Sequence, residues 1–181
     1  MNLRTFAMML ALSLWGVPLA HADAILNLGK IGYATRVPES WRAQSPSSSF
    51  RLAQFAVPGS SGDADCVFFY FGPGEGGSVD ANIERWQSQF RSADGGQVKP
   101  EVERITVANM PVTLIELAGD YARSVGMGPA GGAASPNQIM RVAMVETPQG
   151  NLIIQLYGQR ETVAPQRAAF DAMVRALSRR N

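Results

Sequence analysis

Residues 66–82 read CVFFYFGPGEGGSVDAN. The first six of these residues are apolar on both faces of an extended chain, which predicts a strand in the interior of a sheet. Glycines then lead to Ser78, a residue type that caps helix N-termini well, and Asp80 suits the positive first turn of a helix. The stretch therefore predicts a central strand, a glycine connection and a helix, in that order.

The helix after the glycines is predicted over residues 78–92. Val79, Ile83, Trp86 and Phe90 recur at helical spacing and define one apolar face. The turn Asp94-Gly95-Gly96 is expected to end this segment before the next strand begins.

The glycine connection, Gly72–Gly77, spells G-x-G-x-x-G after a strand, which is the fingerprint of dinucleotide-binding folds. That fingerprint belongs to a parallel strand–helix–strand unit, whereas this helix is followed by a glycine turn and then by hairpins. The candidate acidic residue, Asp94, lies in the turn, and Glu75 would place a carboxylate against a bound phosphate. We interpret the motif as a structural connection and expect neither NAD, FAD nor another cofactor.

The rest of the chain contains further strands joined by short turns, which predicts antiparallel hairpins. We expect an α+β fold in which one antiparallel sheet of about five to seven strands is flanked by two helices on opposite faces. A closed, lipocalin-type sheet is the alternative. The strands are predicted at 33–37, 49–57 (with a bulge between Leu52 and Phe55), 103–108, 111–122, 138–146 and 151–158, and the last helix at 162–178 uses Val163, Phe170, Met173, Val174 and Leu177 as its apolar face.

The N-terminal residues have the layout of a secretory signal peptide. Arg4 precedes an apolar run from Phe6 to about Leu14, and the small residues of Ala20-His21-Ala22 follow in cleavage-site spacing. Cleavage after Ala22 is expected to remove residues 1–22 and leave 23–181 as one α+β domain. This interpretation places the protein in the periplasm or outside the cell.

Cleavage would also limit the chemistry of the mature chain. The single histidine, His21, leaves with the signal peptide, which excludes histidine-based catalysis and leaves few ligands for zinc. Cys66 is the single cysteine and lies within an apolar strand, so we expect a buried thiol and no intramolecular disulfide. Lys and Arg number 16 against 15 Asp and Glu, without a basic block, so nucleic acid is not expected as a partner.

Five carboxylates surround the central strand and the start of the helix, and they offer an alternative function. They could collect a calcium ion or serve a small hydrolase. The ligand spacing of a calcium loop is absent, so we expect a solvated acidic edge and no metal site. These residues are Asp63, Asp65, Glu75, Asp80 and Glu84.

Three features together carry a resemblance to a known fold. They are Val37-Pro38-Glu39-Ser40-Trp41, the VFFYF strand that feeds an amphipathic helix, and Thr162-Val163 with Phe170 and Leu177 in the last helix. This arrangement resembles the PsbP-like α/β/α sandwich over roughly residues 30–179. The segment FGPGEGGSVDANIERW is also similar to a motif of an uncharacterised family of exported bacterial proteins. The resemblance implies a non-catalytic accessory or binding module, and it supplies no catalytic residues.

Residues 123–137, RSVGMGPAGGAASPN, form the one long low-complexity stretch. A loop of this length is either a mobile connector or a contact surface for a partner. In the second case we expect Arg123, Met127, Pro129 and Asn137 to contact the partner. The sequence thus predicts an exported, non-enzymatic binding or accessory protein whose partner is an unidentified envelope protein, with no membrane insertion of the mature chain.

The signal-peptide interpretation makes a direct prediction about the mature N-terminus. Protein recovered from an exporting host should begin at Asp23, or within about two residues of it, because signal peptidase cuts after small residues in this spacing. N-terminal sequencing measures this. A full-length N-terminus on membrane-bound protein would contradict the interpretation.

Overall fold

The computed structural model describes residues 23–121 and 134–180. Single turns of 3-10 helix lie at Gly29–Ile31 and Ala164–Gln166. The strands and helices are β1 (Ala24–Leu28), β2 (Tyr33–Val37), β3 (Arg42–Gln44), β4 (Arg51–Val57), β5 (Ala64–Phe71), α1 (Val79–Gln87), β6 (Phe90–Arg91), β7 (Glu101–Val107), β8 (Met110–Tyr121), β9 (Ser135–Thr147), β10 (Gly150–Gln159), α2 (Arg160–Val163), α3 (Arg167–Arg175) and β11 (Ser178–Arg179).

Within the described residues, eight strands form one open antiparallel sheet. Its order is β3-β4-β5-β10-β9-β8-β6, and β7 also pairs with β8. The apolar strand β5 lies between β4 and β10, so its predicted interior position is confirmed. The pairing of β4 with β5 shifts register between Arg51 and Ala53, close to the predicted bulge. Because the sheet has free edges at β3 and at β6 and β7, the closed alternative is wrong.

A helix covers each face of this sheet. Leu114 and Ile115 are consecutive in β8 and both are buried, so they belong to opposite faces. The Leu114 face packs with Phe170, Met173 and Val174 of α3. The Ile115 face packs with Trp86 of α1. The predicted α+β sandwich with helices on opposite faces is confirmed.

A second, three-stranded sheet has the order β1-β2-β11. Leu28, Tyr33 and Val37 of this small sheet join the same core as α3. The Thr35 hydroxyl donates a hydrogen bond to the Met173 carbonyl and so links β2 directly to α3. The sequence predicted β2 but neither β1 nor β11, so the expectation of a single sheet is corrected to two.

Both predicted helices are shorter than the apolar periodicity suggested. The first ends at Gln87 rather than 92, because Phe90 and Arg91 pair with Tyr121 and Asp120 as β6. The last helix begins at Arg160, turns through a 3-10 segment that contains Pro165, and ends at Arg175. All five residues of its predicted apolar face are buried. None of the helices in the described ranges is long and apolar enough to cross a membrane.

Charged side chains between α3 and the sheet form what we call the buried ion network, namely Glu116, Arg141, Arg167 and Asp171. Glu116 and Arg141 are direct cross-strand partners in β8 and β9, and their side chains are only 10% and 8% exposed. Arg141 Nη1 donates to Glu116 Oε2 at 2.9 Å, while its Nε and Nη2 donate to the two oxygens of Asp171 at 2.8 and 2.7 Å. This bidentate contact ties α3 to the centre of the sheet.

Arg167 of α3, whose side chain is about half exposed, is the fourth member of the network. Its Nε donates to Glu116 Oε2 at 2.9 Å, and its Nη2 donates to Glu116 Oε1 and to Glu101 Oε2. The hydrogen bond from Arg167 to Glu116 raises the pKa of the Arg167 guanidinium. Each buried charge therefore has an opposite charge in contact, as burial requires.

We expect Glu116→Gln to lower the free energy of unfolding by about 3 kcal/mol, because it leaves the buried guanidinium of Arg141 with less opposing charge. Glu103→Gln is the matched control, since Glu103 also contacts α3 through Arg175 but both partners are more than half exposed. That control should cost less than about 1 kcal/mol. Urea unfolding measures both values, and equal costs would contradict the role assigned to the network.

Candidate functional site

The glycine connection between β5 and α1 is a tight, internally bonded turn. Gly74, Gly76 and Gly77 all have positive φ, at 77°, 81° and 74°. The Glu75 amide donates to the Gly72 carbonyl at 2.9 Å, and the Gly72 amide donates to the Glu75 carboxylate at 3.2 Å. Gly76 also lies against Phe71, since an added Cβ would be 2.9 Å from that side chain.

Two asparagine side chains hold the carbonyls of this connection. Asn82 Nδ2 donates to the Gly76 and Ser78 carbonyls at 2.7 and 2.9 Å. Asn151 Nδ2 donates to the carbonyls of Glu75 and Gly77 at 3.2 and 3.3 Å. Together with the antiparallel neighbours of β5, these bonds give the motif the structural role that the sequence predicted.

The carboxylates considered for the alternative function do not converge. Asp63 forms an ion pair with Arg42, and Glu75 is bonded within the glycine connection. Asp65 lies in β5, while Asp80 and Glu84 lie on α1. Across residues 23–121 and 134–180, no three Asp, Glu, His or Cys side chains come together as a possible metal site.

Only the last part of the predicted partner-contacting loop, residues 134–137, belongs to the described residues. Arg123, Met127 and Pro129 lie outside the described residues, and Asn137 lies inside β9 rather than in a loop. Its backbone has a positive φ of 54°. Its side chain accepts a hydrogen bond from Arg160 at 2.8 Å and donates one to Glu161 at 2.7 Å. Asn137 therefore joins the start of β9 to α2.

Cys66 is fully buried in β5. Burial raises the pKa of its thiol well above the usual value, and the nearby charge of Asp65 raises it further. The thiol therefore stays protonated near neutral pH, and the predicted burial of Cys66 is confirmed.

One exposed ring, three partly buried neighbours and a guanidinium among them form, beside β4 and β5, what we call the aromatic surface: Phe50 is exposed, and Arg51, Phe69 and Phe71 are partly buried. The Phe50 side chain is 59% exposed, yet its ring is stacked on that of Phe71, with centroids 6.1 Å apart and planes inclined by 22°. The Tyr70 amide donates to the Phe50 carbonyl at 3.0 Å, which fixes the backbone beneath the ring. Phe50 is thus a large apolar side chain held in place at the surface.

Arg51 and Phe69 lie beside this stack as direct cross-strand partners. The Arg51 guanidinium lies 5.4 Å from the centroid of the Phe69 ring and donates to Gln54 Oε1 at 2.7 Å. In the described part of the chain, no carboxylate pairs with this guanidinium. Most of its five N–H donors are therefore free to meet another molecule.

A polar cleft of about 250 Å³ lies beside β8, near where β6 and β7 pair with that strand. Its lining includes Lys99, Gln97, Glu101 and Glu116. Both glutamates already accept hydrogen bonds from Arg167. The cleft is therefore the solvent side of the buried ion network, and its two carboxylates are already bonded to Arg167 of α3.

The sequence did not identify the aromatic surface or the buried ion network. A signal for the network exists, because Glu116 and Arg141 interrupt two otherwise apolar strands, LIELA and IMRVA. A buried charge of each sign on neighbouring strands indicates a pair once the register is known. Phe50 has no such signal, because a single phenylalanine after a serine-rich loop fits equally well inside a core.

Comparison with known proteins gives a fold but no activity. No protein-family model matches the chain, and no curated protein does either. Solved structures that are similar to it include the following two. The solution structure of cyanobacterial PsbP (CyanoP) from Synechocystis sp. has a TM-score of 0.56 at 12% identity and covers 88% of this chain and 93% of that one. A protein of unknown function from Pseudomonas aeruginosa, PA94, described as a putative regulator, has a TM-score of 0.52 at 16% identity and covers 88% and 99%.

These likenesses show that the chain has a PsbP-like α+β fold, as the sequence resemblance implied. At such low sequence identities the similarity shows the fold alone, so no functional residue of either structure is assigned to this chain.

The glycine geometry predicts unequal effects of alanine substitution. Gly76→Ala should lower the free energy of unfolding by about 2 kcal/mol, because it adds a contact with Phe71 to the strain of a positive φ. Gly74→Ala is the matched control, since its φ is also positive but no atom lies within 4 Å of the added Cβ. It should cost about 1 kcal/mol. Urea unfolding of both variants measures the difference, and a smaller loss for Gly76→Ala would contradict the packing described.

Proposed function

We propose that the protein is an exported, non-enzymatic accessory protein of the cell envelope that binds a partner protein through the aromatic surface. The observation that carries the proposal is Phe50, which is largely exposed but fixed by stacking on Phe71 and by the hydrogen bond to its backbone. Aromatic and arginine side chains dominate the binding energy of protein interfaces. Ordering a fixed ring on binding also costs little conformational entropy.

The single charge of the aromatic surface, on Arg51, indicates the chemistry of the partner. Arg51 brings a guanidinium without a carboxylate partner among the described residues, directly beside two partly exposed rings. Such a surface fits an apolar or aromatic side chain flanked by an aspartate or glutamate. Bidentate pairing with Arg51 would set the orientation of that segment, while the rings of Phe50 and Phe71 would supply the apolar contact.

Export rests on the signal-peptide layout of residues 1–22. The loop hypothesis for Arg123, Met127 and Pro129 stays a separate prediction. The residues that flank this segment, Tyr121 and Ser135, pair with each other close to Gln159, at the end of β10. Phe71 of the aromatic surface pairs instead with Asn151, at the start of β10. The loop and the aromatic surface can therefore be tested independently.

Affinity purification from an envelope extract tests the proposal with three forms of the protein. The wild type should recover a partner that Phe50→Ser recovers at least about tenfold less, as expected for a central interface residue. Val102→Ser is the matched control, because Val102 is another exposed apolar side chain, 40% exposed, on the distant strand β7. That variant should recover the partner normally.

Equal recovery by the wild type and Phe50→Ser would rule out the aromatic surface as the binding site. A partner lost instead on shortening residues 127–134 would move the site to the loop. If no form recovers any partner, the accessory function itself is contradicted.

A further inference from the structure

The strand β1 is an outer strand of the small sheet, and it carries no charged residue. It pairs with β2 on one side, and among the described residues no strand pairs with its other edge. Its sequence, AILNL, is apolar apart from one asparagine, and it lacks the proline or lysine that commonly protects a free edge. The unpaired backbone groups of β1 are therefore open to a further strand.

The other free edges of the two sheets are protected. The strands β3, β6 and β11 are only two or three residues long, and each contains an arginine. The longer strand β7 contains Glu101, Glu103 and Arg104. Two copies of β7 paired about its central residue, Arg104, would place like charges directly opposite each other, which destabilises a strand pair. In the described part of the chain, β1 is therefore the free edge with the least protection.

The side chains of β1 alternate between the core and solvent. Leu28 is buried, and Leu26 is partly buried and packs against the same core. Ile25 and Asn27 alternate to the outer face, where Ile25 lies beside its cross-strand partner Arg36. Ile25 is the most exposed large apolar side chain of the described residues, at 66%. Pairing of this edge with an apolar strand would remove that side chain from water.

Two copies of β1 are complementary when Ile25 of one copy lies opposite Ile25 of the other. A two-fold axis normal to the sheet keeps each side chain on its own face, so a residue pairs only with one an even number of positions away. In this register Ala24 lies opposite Leu26 on the inner face. On the outer face Asp23, which directly precedes β1, lies opposite Asn27. The asparagine amide can donate to that carboxylate, and no like charges meet.

The neighbouring registers are less favourable. A shift of the axis by one residue toward the N-terminus would place Ile25 opposite Asp23, and a shift the other way would place it opposite Asn27. The register centred on Ile25 brings the two exposed apolar side chains together. It also keeps the two copies of Arg36 three strand spacings apart, which is about 14 Å and beyond a Debye length of roughly 10 Å. The two arginines therefore oppose the pairing only weakly.

We propose that two copies of the protein associate through β1 as a two-fold symmetric dimer, in which two sheets of three strands join into one antiparallel sheet of six. A second copy fits this edge because the strand is complementary to itself, with apolar residues opposite apolar ones and one polar pair that hydrogen-bonds. The contact uses the β1 edge of both copies, so it closes at the dimer. Five residue pairs bury less than the roughly 800 Å² per partner of a standard interface, so the dimer is weak and its population rises with concentration.

Cysteine crosslinking tests the register of the dimer. In Ile25→Cys the two new thiols face each other across the axis, with Cα atoms about 4.5 to 5.5 Å apart, which a disulfide spans. Asn27→Cys is the matched control, because it lies on the same exposed face but its two Cα atoms are about 14 Å apart in this register. The native Cys66 is buried and does not compete. Under mild oxidation of protein recovered from an exporting host, Ile25→Cys should form disulfide-linked dimers at least about tenfold faster than Asn27→Cys.

Sedimentation velocity measures the dimer without crosslinking. The wild type should shift from monomer toward dimer between about 10 µM and 1 mM, the range of weak complexes. Ile25→Lys should raise the dimer Kd at least about tenfold, because it removes the apolar pair and places like charges directly opposite each other. Asn27→Lys adds the same charge to the same face but lies opposite Asp23 of the second copy, so it should dimerise at least as strongly as the wild type. Circular dichroism checks that both variants are folded.

Three results would overturn the proposal. These are a wild type that stays monomeric across the whole concentration range, equal crosslinking by the two cysteine variants, and a dimer that Ile25→Lys leaves unchanged. Loss of the dimer in Asn27→Lys to the same extent as in Ile25→Lys would also overturn it, because the two lysines differ only in the residue that the register places opposite them.

Discussion

The contact between Arg141 and Glu116 at the centre of the sheet determines where the last helix lies. Their strands are buried on both faces, so two charges at this position require partners from the layer above. Asp171 and Arg167 of α3 are those partners. Once α3 is fixed in this way, Phe170, Met173 and Val174 fill the core beneath it. The Thr35 hydroxyl bonds to the Met173 carbonyl, so the position of α3 also sets that of the small sheet.

The opposite face of the sheet is covered by the nine residues of α1, whereas α2, a 3-10 turn and α3 follow one another over residues 160–175 on the first face. Trp86 of α1 packs into the core that contains Ile115 and Leu117. Phe69 and Phe71, on the same face but toward the other edge, are only partly buried. The glycine connection places Gly76 against Phe71, whose ring also stacks on the exposed Phe50. The aromatic surface is therefore the part of this face that the helix does not cover.

Much of the fold follows from local patterns in the sequence. The two-sided apolar character of β5 predicted its interior position, and Ser78 predicted the start of α1, where its hydroxyl accepts from the Ala81 amide at 3.2 Å. The end of α1 could not be predicted, because Phe90 continues the helical spacing but pairs with Tyr121 as a strand. The buried ion network depends on the register of β8 against β9 and on the position of α3. Neither is encoded locally. The exposure of Phe50 is likewise a tertiary property, so the sequence directed attention to the 123–137 loop instead.

Contact with a partner through the aromatic surface, as proposed, is tested most directly by site-specific photocrosslinking in an exporting host. A photoreactive phenylalanine analogue is placed at position 50, and in a second form at position 102, which is also exposed but lies on β7. If the aromatic surface binds the partner, a discrete crosslinked adduct should form from position 50 and none from position 102. The absence of an adduct at position 50, or the same adduct from both positions, would contradict that proposal.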